Sequence, residues 1–303
     1  MFSFLKSLFQ TQKETAPKAS GKSYPNKIGL IAGNSSFPIK FIEGANKQDF
    51  GVVAVCHSGE TQPEVEGLAS VCEWIKVGQL GKLITVFKEN GITQAAMAGG
   101  INRVKLFGGV KLDMRGAALL ARLRSAKDDV IMRGIAEELQ SEGIEIIDST
   151  RFMQDCIIPE GWFVGKELCP EVKQDIQIGV DAIASMSSQD IGQTVVVKEG
   201  VVVAVEAVEG TDAAIRRGGE LGGAGAVVVK FAKTTQDMRF DVPTIGPRTI
   251  ETMASVKASV LAVESGRCLL LDEEETLALA QKHNITLVGC EPLVKDSKLD
   301  KSA

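Results

Sequence analysis

The sequence predicts an α/β fold in two domains, the first built on a parallel sheet. Between residues 27 and 148, short apolar segments alternate with segments of helical periodicity, which is the pattern of a parallel α/β sheet. After residue 190 the pattern changes to a hairpin, followed by more strands and helices. The chain has 303 residues, which is enough for two domains of ordinary size.

The first domain is predicted over residues 27–158 and ends where Pro159 and Gly161 interrupt the pattern. Each of its strands is a short apolar run, and each helix carries apolar residues at helical spacing. Strands are predicted at 28–32, 52–56, 73–77, 95–98 and 144–148, and helices at 39–47, 82–90, 114–123 and 129–141.

Three of these strands end in glycine-containing turns, at Gly33, at Gly78 and Gly81, and at Gly99 and Gly100. In an open parallel sheet, ligands bind beyond the carboxyl ends of the strands, where glycines let the backbone approach a ligand and helix N-termini favour phosphate. The turns therefore predict a Rossmann-like domain that binds a nucleotide or nucleotide-sugar. The G-x-G-x-x-G fingerprint is missing after the first strand, and the chain has no G-x-x-x-x-G-K-[ST] motif.

The second domain is predicted over residues 159–291 as an α/β unit that contains one hairpin. The hairpin covers residues 194–205 and turns at Lys198-Glu199-Gly200. The other predicted elements are helices at 171–188, 213–217, 249–257 and 273–282 and strands at 226–231, 260–264, 268–271 and 286–288.

The two ends of the chain lie outside these domains. Residues 1–26 are predicted to be a flexible extension, because a short apolar part is followed by a polar run rich in Lys, Ser and Thr. The apolar residues near one helical face leave open a weak interfacial helix at a membrane surface. The charged tail over residues 292–303 is expected to be loose.

Charged residues gather beyond the end of the strand at 226–231. Lys230 and Lys233 are followed by Asp237, Arg239 and Asp241. In an extended segment the last three side chains would point the same way and bring two carboxylates and a guanidinium to one face. Mg²⁺ is usually held against a diphosphate by two or three carboxylates with water, so this segment predicts a metal-assisted phosphate site.

Neighbouring residues would complete that site. Glu206 and Glu209, which follow the hairpin, are further candidate metal ligands, and Arg248 could contact phosphate. Thr244-Ile245-Gly246-Pro247 turns the chain into the next helix, with proline in its first turn. The alternative is a network of surface ion pairs, which would contribute little stability and need no metal.

Composition excludes several classes of protein. A net charge of −5 argues against binding nucleic acid, and no apolar run approaches the roughly 18 residues that span a bilayer. Only two histidines are present, His57 and His283, so a His-rich metal site is excluded.

Five segments, in this order along the chain, resemble one known family. They are Gly29-Leu30-Ile31-Ala32-Gly33, Val77-Gly78-Gln79-Leu80-Gly81-Lys82, Ala96-Met97-Ala98-Gly99-Gly100, Val208-Glu209-Gly210-Thr211-Asp212 and the segment from Gln236 to Pro247. Together they closely resemble the LpxI family, the UDP-2,3-diacylglucosamine pyrophosphatases of lipid A biosynthesis. The resemblance covers residues 27–289, and the last segment is its most specific part.

The resemblance implies a Rossmann-like N-terminal domain, a C-terminal α/β domain and a substrate held between them. It implies that Mg²⁺ and water split the diphosphate of UDP-2,3-diacylglucosamine into UMP and 2,3-diacylglucosamine 1-phosphate. One C-terminal aspartate should be essential, either Asp237 or Asp241, and Asp241 is preferred. The six cysteines form no CxxC pair and show no zinc-like spacing, so they predict reduced core residues of a cytoplasmic protein. Peripheral contact with the inner membrane and a homodimer are additional expectations.

The expected site follows from these motifs. Asp241, Asp237 and Arg239 are the expected catalytic residues, and the two aspartates with Glu206 and Glu209 are the expected Mg²⁺ ligands. The expected substrate-binding residues are Gly33, Asn34, Ser35, Gln79, Gly81, Gly99, Gly100, Asn102, Arg103, Thr211, Lys230, Lys233 and Thr244. A non-catalytic nucleotide-sugar binding protein and a Rossmann-type oxidoreductase are the alternatives.

Overall fold

A computed structural model describes residues 24–101, 112–123, 128–187, 189, 191–234 and 236–293. The chain divides after Ile147 into two compact units. Nearly all of the predicted extension 1–26, and the tail from residue 294, lie outside the described residues. The domain boundary at residue 158 stays a prediction from the sequence.

The first unit contains a five-stranded sheet whose neighbouring strands all run parallel. The spatial order is β3-β2-β1-β4-β5, so the predicted parallel sheet is confirmed. Val52 to Cys56 are fully buried, as expected for a central strand covered on both faces. The strands are β1 (Asn26–Ala32), β2 (Phe50–His57), β3 (Val71–Ile75), β4 (Gln94–Ala98) and β5 (Glu145–Ile146).

Helices follow the strands of the first unit. They are α1 (Phe37–Lys47), α2 (Val65–Leu68), α3 (Leu80–Glu89), α4 (Met114–Arg122) and α5 (Asp128–Ser141). In α1 and α3 the apolar residues form one buried face. The single turn α2 was not predicted, because four residues are too few to show helical periodicity.

The second unit is built on a six-stranded mixed sheet with the order β6-β13-β11-β9-β7-β8. The central strands β9, β11 and β13 are parallel, whereas β7 pairs antiparallel with both β8 and β9. The predicted hairpin is therefore confirmed as β7 and β8. The strands are β6 (Phe163–Val164), β7 (Thr194–Lys198), β8 (Val201–Val205), β9 (Val227–Lys230), β11 (Val260–Glu264) and β13 (Thr286–Cys290); a separate pair contains β10 (Thr244–Ile245) and β12 (Leu269–Leu270).

Four helices cover the two faces of this sheet. They are α6 (Pro170–Ser187), α7 (Thr211–Gly222), α8 (Pro247–Ser255) and α9 (Glu273–Lys282), and α6 packs on the face opposite the other three. The prediction that α7 ends at residue 217 is wrong. The helix continues through Gly218 and Gly219. A Cβ on either residue would lie 2.6 Å or less from Val196 or Val256, so the two glycines permit close packing against these valines. No helix within the described ranges is both long and apolar enough to span a bilayer.

Gly116 provides a test of the packing in the first unit. A Cβ at this helical position would lie 2.4 Å from the carbonyl oxygen of Gly78 in the turn after β3. We expect Gly116→Ala to lower the free energy of unfolding of this unit by about 1–3 kcal/mol, because a backbone atom must move. Urea denaturation would measure this free energy. Trp74 fluorescence would report unfolding of the first unit once Trp162, which lies in the second unit, is replaced by Phe.

The matched control is Gly67→Ala, since a Cβ on this helical glycine would meet nothing within 4 Å. It should leave stability unchanged or raise it by up to about 1 kcal/mol. Equal effects of the two substitutions would contradict the packing.

Candidate functional site

The turns after β1 and β4 meet where the strand order of the first sheet reverses. The Gly33 N–H donates to Ala98 O at 2.8 Å, and the Asn34 N–H donates to Gly100 O at 2.8 Å. A Cβ on Gly33 would lie 2.4 Å from Gly100 O, so only glycine allows this approach. Gly33, Asn34, Gly99 and Gly100 therefore lie at the position where sheets of this type bind ligands.

The turn after β2 adds Glu60 and Thr61, two polar residues that were not predicted from the sequence. Thr61 Oγ1 donates to Ala32 O at 2.6 Å, and Asn34 Nδ2 donates to Glu60 Oε2 at 3.5 Å. His57 Nδ1 lies 2.9 Å from the same carbonyl, which can only accept, so Nδ1 carries the proton. Burial lowers the pKa of His57, which favours the neutral ring.

The third glycine turn, after β3, is closed by a carboxylate of the protein. Asp113 Oδ2 accepts from the N–H of Gly81 at 2.7 Å and from that of Lys82 at 3.3 Å. Its Oδ1 caps α4 by accepting the Gly116 N–H at 2.8 Å. Asp113 therefore holds N–H groups at the starts of α3 and α4, including that of the predicted substrate residue Gly81.

Of the other predicted substrate-binding residues in this unit, Gln79 accepts the Lys76 N–H, and Asn102 and Arg103 lie outside the described residues.

In the second unit, a chain of polar contacts lies at the carboxyl end of β9. Lys230, only 5% exposed, donates from Nζ to Thr211 Oγ1 at 3.2 Å. Thr211 donates in turn to Glu206 Oε1 at 3.2 Å, and its hydroxyl lies 3.4 Å from that of Thr194. The structure thus brings together Lys230 at the end of β9, Thr211 at the start of α7 and Glu206 just after β8.

The segment with the candidate aspartates is a turn, so the predicted extended arrangement is wrong. The N–H groups of Phe240 and Asp241 both donate to Asp237 O, at 3.0 and 3.3 Å. This closes a helical turn in which residues four apart, rather than two apart, share a side. Arg239 forms a two-pronged ion pair with Asp237, from Nε at 3.0 Å and from Nη2 at 2.7 Å.

Gln236 connects this turn to the rest of the unit. Its Nε2 donates to the carbonyl and to Oδ2 of Asp241 at 2.7 and 2.9 Å, and it lies 3.2 Å from Gln193 Oε1. Its Oε1 accepts the Lys233 N–H at 2.8 Å. Neither glutamine was predicted from the sequence, because an uncharged amide carries no signal of its role.

The remaining predicted residues have separate partners. Glu209 pairs with Arg217 at 2.5 Å, and its pKa is lowered first by its own backbone N–H and then by that guanidinium. Arg248 pairs with Asp212 at 2.5 Å, and Thr244 lies in β10. Among the residues that the structure describes, no three His, Cys, Asp or Glu side chains gather closely enough to hold a metal ion.

Two family models match the chain over most of its length. The model of the LpxI N-terminal domain matches residues 27–156, and that of the LpxI C-terminal domain matches residues 159–288. A relative from Caulobacter vibrioides, the UDP-2,3-diacylglucosamine pyrophosphatase LpxI, is 30% identical over 277 residues, which is 88% of this chain and 98% of the relative. The chain belongs to the LpxI family.

Solved structures resemble this chain only weakly. A Mycobacterium tuberculosis glycinamide-RNase-transformylase T is 11% identical, with a TM-score of 0.22 over 59% of this chain and 43% of that one. A Staphylococcus aureus N5-carboxyaminoimidazole synthetase complexed with ADP is 15% identical, with a TM-score of 0.21 over 60% and 41%.

Glu264, at the end of β11, is a buried carboxylate that the sequence analysis also missed. It accepts the N–H of Ala232 at 2.8 Å and that of Leu293 at 3.1 Å, and it pairs with Arg267 at 3.5 Å. Desolvation is the largest effect on its pKa, which is raised above 4.5 despite these partners. Glu264 thus connects the chain after β9, where Lys230 lies, to β11.

The raised pKa predicts how stability depends on pH. Because folded Glu264 holds its proton more tightly than the unfolded chain does, stability should fall as pH rises from about 4.5 through the raised pKa. The loss relative to Glu264→Gln should be about 1.4 kcal/mol for every pH unit by which folding raises the pKa of Glu264. Urea denaturation from pH 4 to 8, followed by Trp162 fluorescence with Trp74 replaced by Phe, would measure it.

Glu274→Gln is the control, because Glu274 is exposed on α9 and should leave the pH dependence of stability as in the unsubstituted chain. A difference between the chain and Glu264→Gln that does not change with pH would count against the prediction.

Proposed function

We propose that this chain hydrolyses the diphosphate of UDP-2,3-diacylglucosamine to UMP and 2,3-diacylglucosamine 1-phosphate, with Mg²⁺. The observation that carries the proposal is the turn holding Asp237, Arg239 and Asp241, which follows the strand end with Lys230. This turn lies within the part of the chain matched by the LpxI C-terminal model. The name of the Caulobacter relative supports the substrate.

The donor set fits a Mg²⁺ ion that the substrate helps to bind. Mg²⁺ is commonly held by one or two carboxylates together with substrate phosphates and water, rather than by a cage of protein ligands. Asp237 and Asp241 offer two carboxylates in one turn and are the ligands we propose. Glu206 contacts Thr211 and Glu209 pairs with Arg217, and both remain predicted ligands of the ion. When bound, the ion would neutralise negative charge that develops on the phosphoryl oxygens.

In the reaction, the oxygen of a water molecule forms a bond to one phosphorus, and the bond between that phosphorus and the bridging oxygen breaks. The other phosphate leaves with the bridging oxygen, and a proton of the water passes to solvent. Lys230, Lys233 and Arg239 supply positive charge, which binds the diphosphate and stabilises the leaving phosphate. The Asp241 carboxylate orients the water. Because Lys230 is almost fully buried, its attraction for phosphate is weakened less by solvent than that of a surface lysine.

The first unit would bind the nucleotide-sugar part of the substrate. The turns at Gly33–Ser35 and Gly99–Gly100 support this assignment, because they pack together where the strand order reverses. Asn102 and Arg103 remain predicted contacts. The amphipathic substrate favours a cytoplasmic enzyme that works at the inner-membrane surface; membrane contact and a homodimer also stay predictions.

The aspartates provide the test. Purified protein with Mg²⁺ should release UMP from UDP-2,3-diacylglucosamine, and chelation with EDTA should stop the release. Asp241→Ala and Asp237→Ala should each lower kcat by about 100-fold or more, because each removes a carboxylate from the reacting centre. Quantifying UMP by chromatography, with substrate binding measured separately, would check both expectations.

Asp181→Ala is the matched control, since Asp181 is an exposed helix carboxylate in the same unit. Its kcat should equal that of the unsubstituted chain. Tight substrate binding with no UMP release by the unsubstituted chain would support a non-catalytic binding protein, and tight binding of NAD(P) would support an oxidoreductase.

A further inference from the structure

We propose that Gln236 is a positioning residue that holds the Asp241 carboxylate in its reactive orientation, and that Gln193 anchors it. This inference rests on the proposed function and concerns how the reacting carboxylate is held. Asp241 is exposed, so packing does not fix its side chain. A flexible carboxylate samples several rotamers, and a hydrogen bond to a fixed donor selects one of them.

The orientation of the Gln236 amide is determined by its contacts. The Lys233 N–H donates to this amide at 2.8 Å. The accepting atom must be Oε1, because an amide NH₂ group cannot accept a hydrogen bond. The NH₂ group therefore faces Asp241, where it donates to the carbonyl at 2.7 Å and to Oδ2 at 2.9 Å. One amide thus fixes both the backbone and the carboxylate of Asp241.

Gln193 anchors this amide to the sheet. Its Oε1 lies 3.2 Å from Gln236 Nε2, its carbonyl accepts the Phe231 N–H at 3.0 Å, and its own N–H donates to Glu206 Oε2 at 3.4 Å. Gln193 immediately precedes β7, and Phe231 immediately follows β9, so both lie next to the ends of neighbouring paired strands. The contacts connect Asp241 through two side-chain amides to the end of the sheet that carries Lys230.

Gln236→Glu is the sharpest test. It keeps the length of the side chain and the acceptor for the Lys233 N–H, but places a negative oxygen where the NH₂ group donated to Asp241. We expect kcat to fall by about 10-fold to 100-fold, because a small displacement of a reacting group is costly. KM should change by less than about threefold, since the cations that bind the diphosphate are untouched.

The control is a second Gln–Asp pair in the same unit. Gln177 Nε2 donates to Asp181 Oδ1 at 2.9 Å on the exposed side of α6. Gln177→Glu brings the same like-charge contact but should leave both kcat and KM unchanged. Gln193→Ala removes the anchor alone and should lower kcat by about 3-fold to 10-fold, less than Gln236→Glu does.

The results separate this inference from the proposed function. If the unsubstituted chain releases no UMP, the proposed function fails and the inference fails with it. If it releases UMP and Asp241→Ala does not, but Gln236→Glu retains full kcat, the positioning role alone is overturned. It is also overturned if Gln236→Glu lowers the urea midpoint and raises KM in step with the loss of kcat, because that is the result of a loosened fold.

Discussion

The burial of the Lys230 side chain is a constraint on how the carboxyl end of β9 is arranged. A buried amino group is costly without partners, and Lys230 finds its partner in Thr211 at the first position of α7. Thr211 is itself bonded to Glu206 at the end of the hairpin, so the start of α7, the end of β8 and the end of β9 are held together. The polar residues of the candidate site are therefore also part of what stabilises this edge of the sheet.

Most strands and helices could be predicted because their signal is local. Val227 to Val229 are apolar, β-branched and buried, and such runs have few alternatives to a strand. Local signals failed where one pattern fits two conformations. Asp237 and Asp241, four residues apart, share a face in an extended strand and also in a helical turn, and only the backbone hydrogen bonds to Asp237 O decide between them. The pair Gly218-Gly219 likewise suggested a helix end, although the glycines are needed for contact with distant valines.

The contacts that assemble the candidate site were not predictable, because their partners are distant in sequence. Asp113 closes a turn 32 residues earlier, Glu264 accepts the N–H of Ala232 in the segment after β9, and Gln193 reaches Gln236 across 43 residues. Motif spacing identified charged residues, because their chemistry is evident from the sequence. It did not identify the uncharged amides or the capping carboxylate, whose roles depend entirely on the fold.

The two units present different polar groups to a ligand: backbone groups in the first and side-chain carboxylates in the second. In the first, bare backbone is brought close by glycines, and no side chain needs to be held in the contact between Gly33 and Gly100. In the second, the Asp241 carboxylate is exposed and that of Asp237 is half-buried, and deeper burial would fix them but would also raise the cost of their charge. Hydrogen bonds from the Gln236 amide avoid that conflict, since they orient Asp241 while it stays in contact with solvent. A turn that is to bind a charged substrate is therefore better ordered by amides at its base than by apolar packing around it.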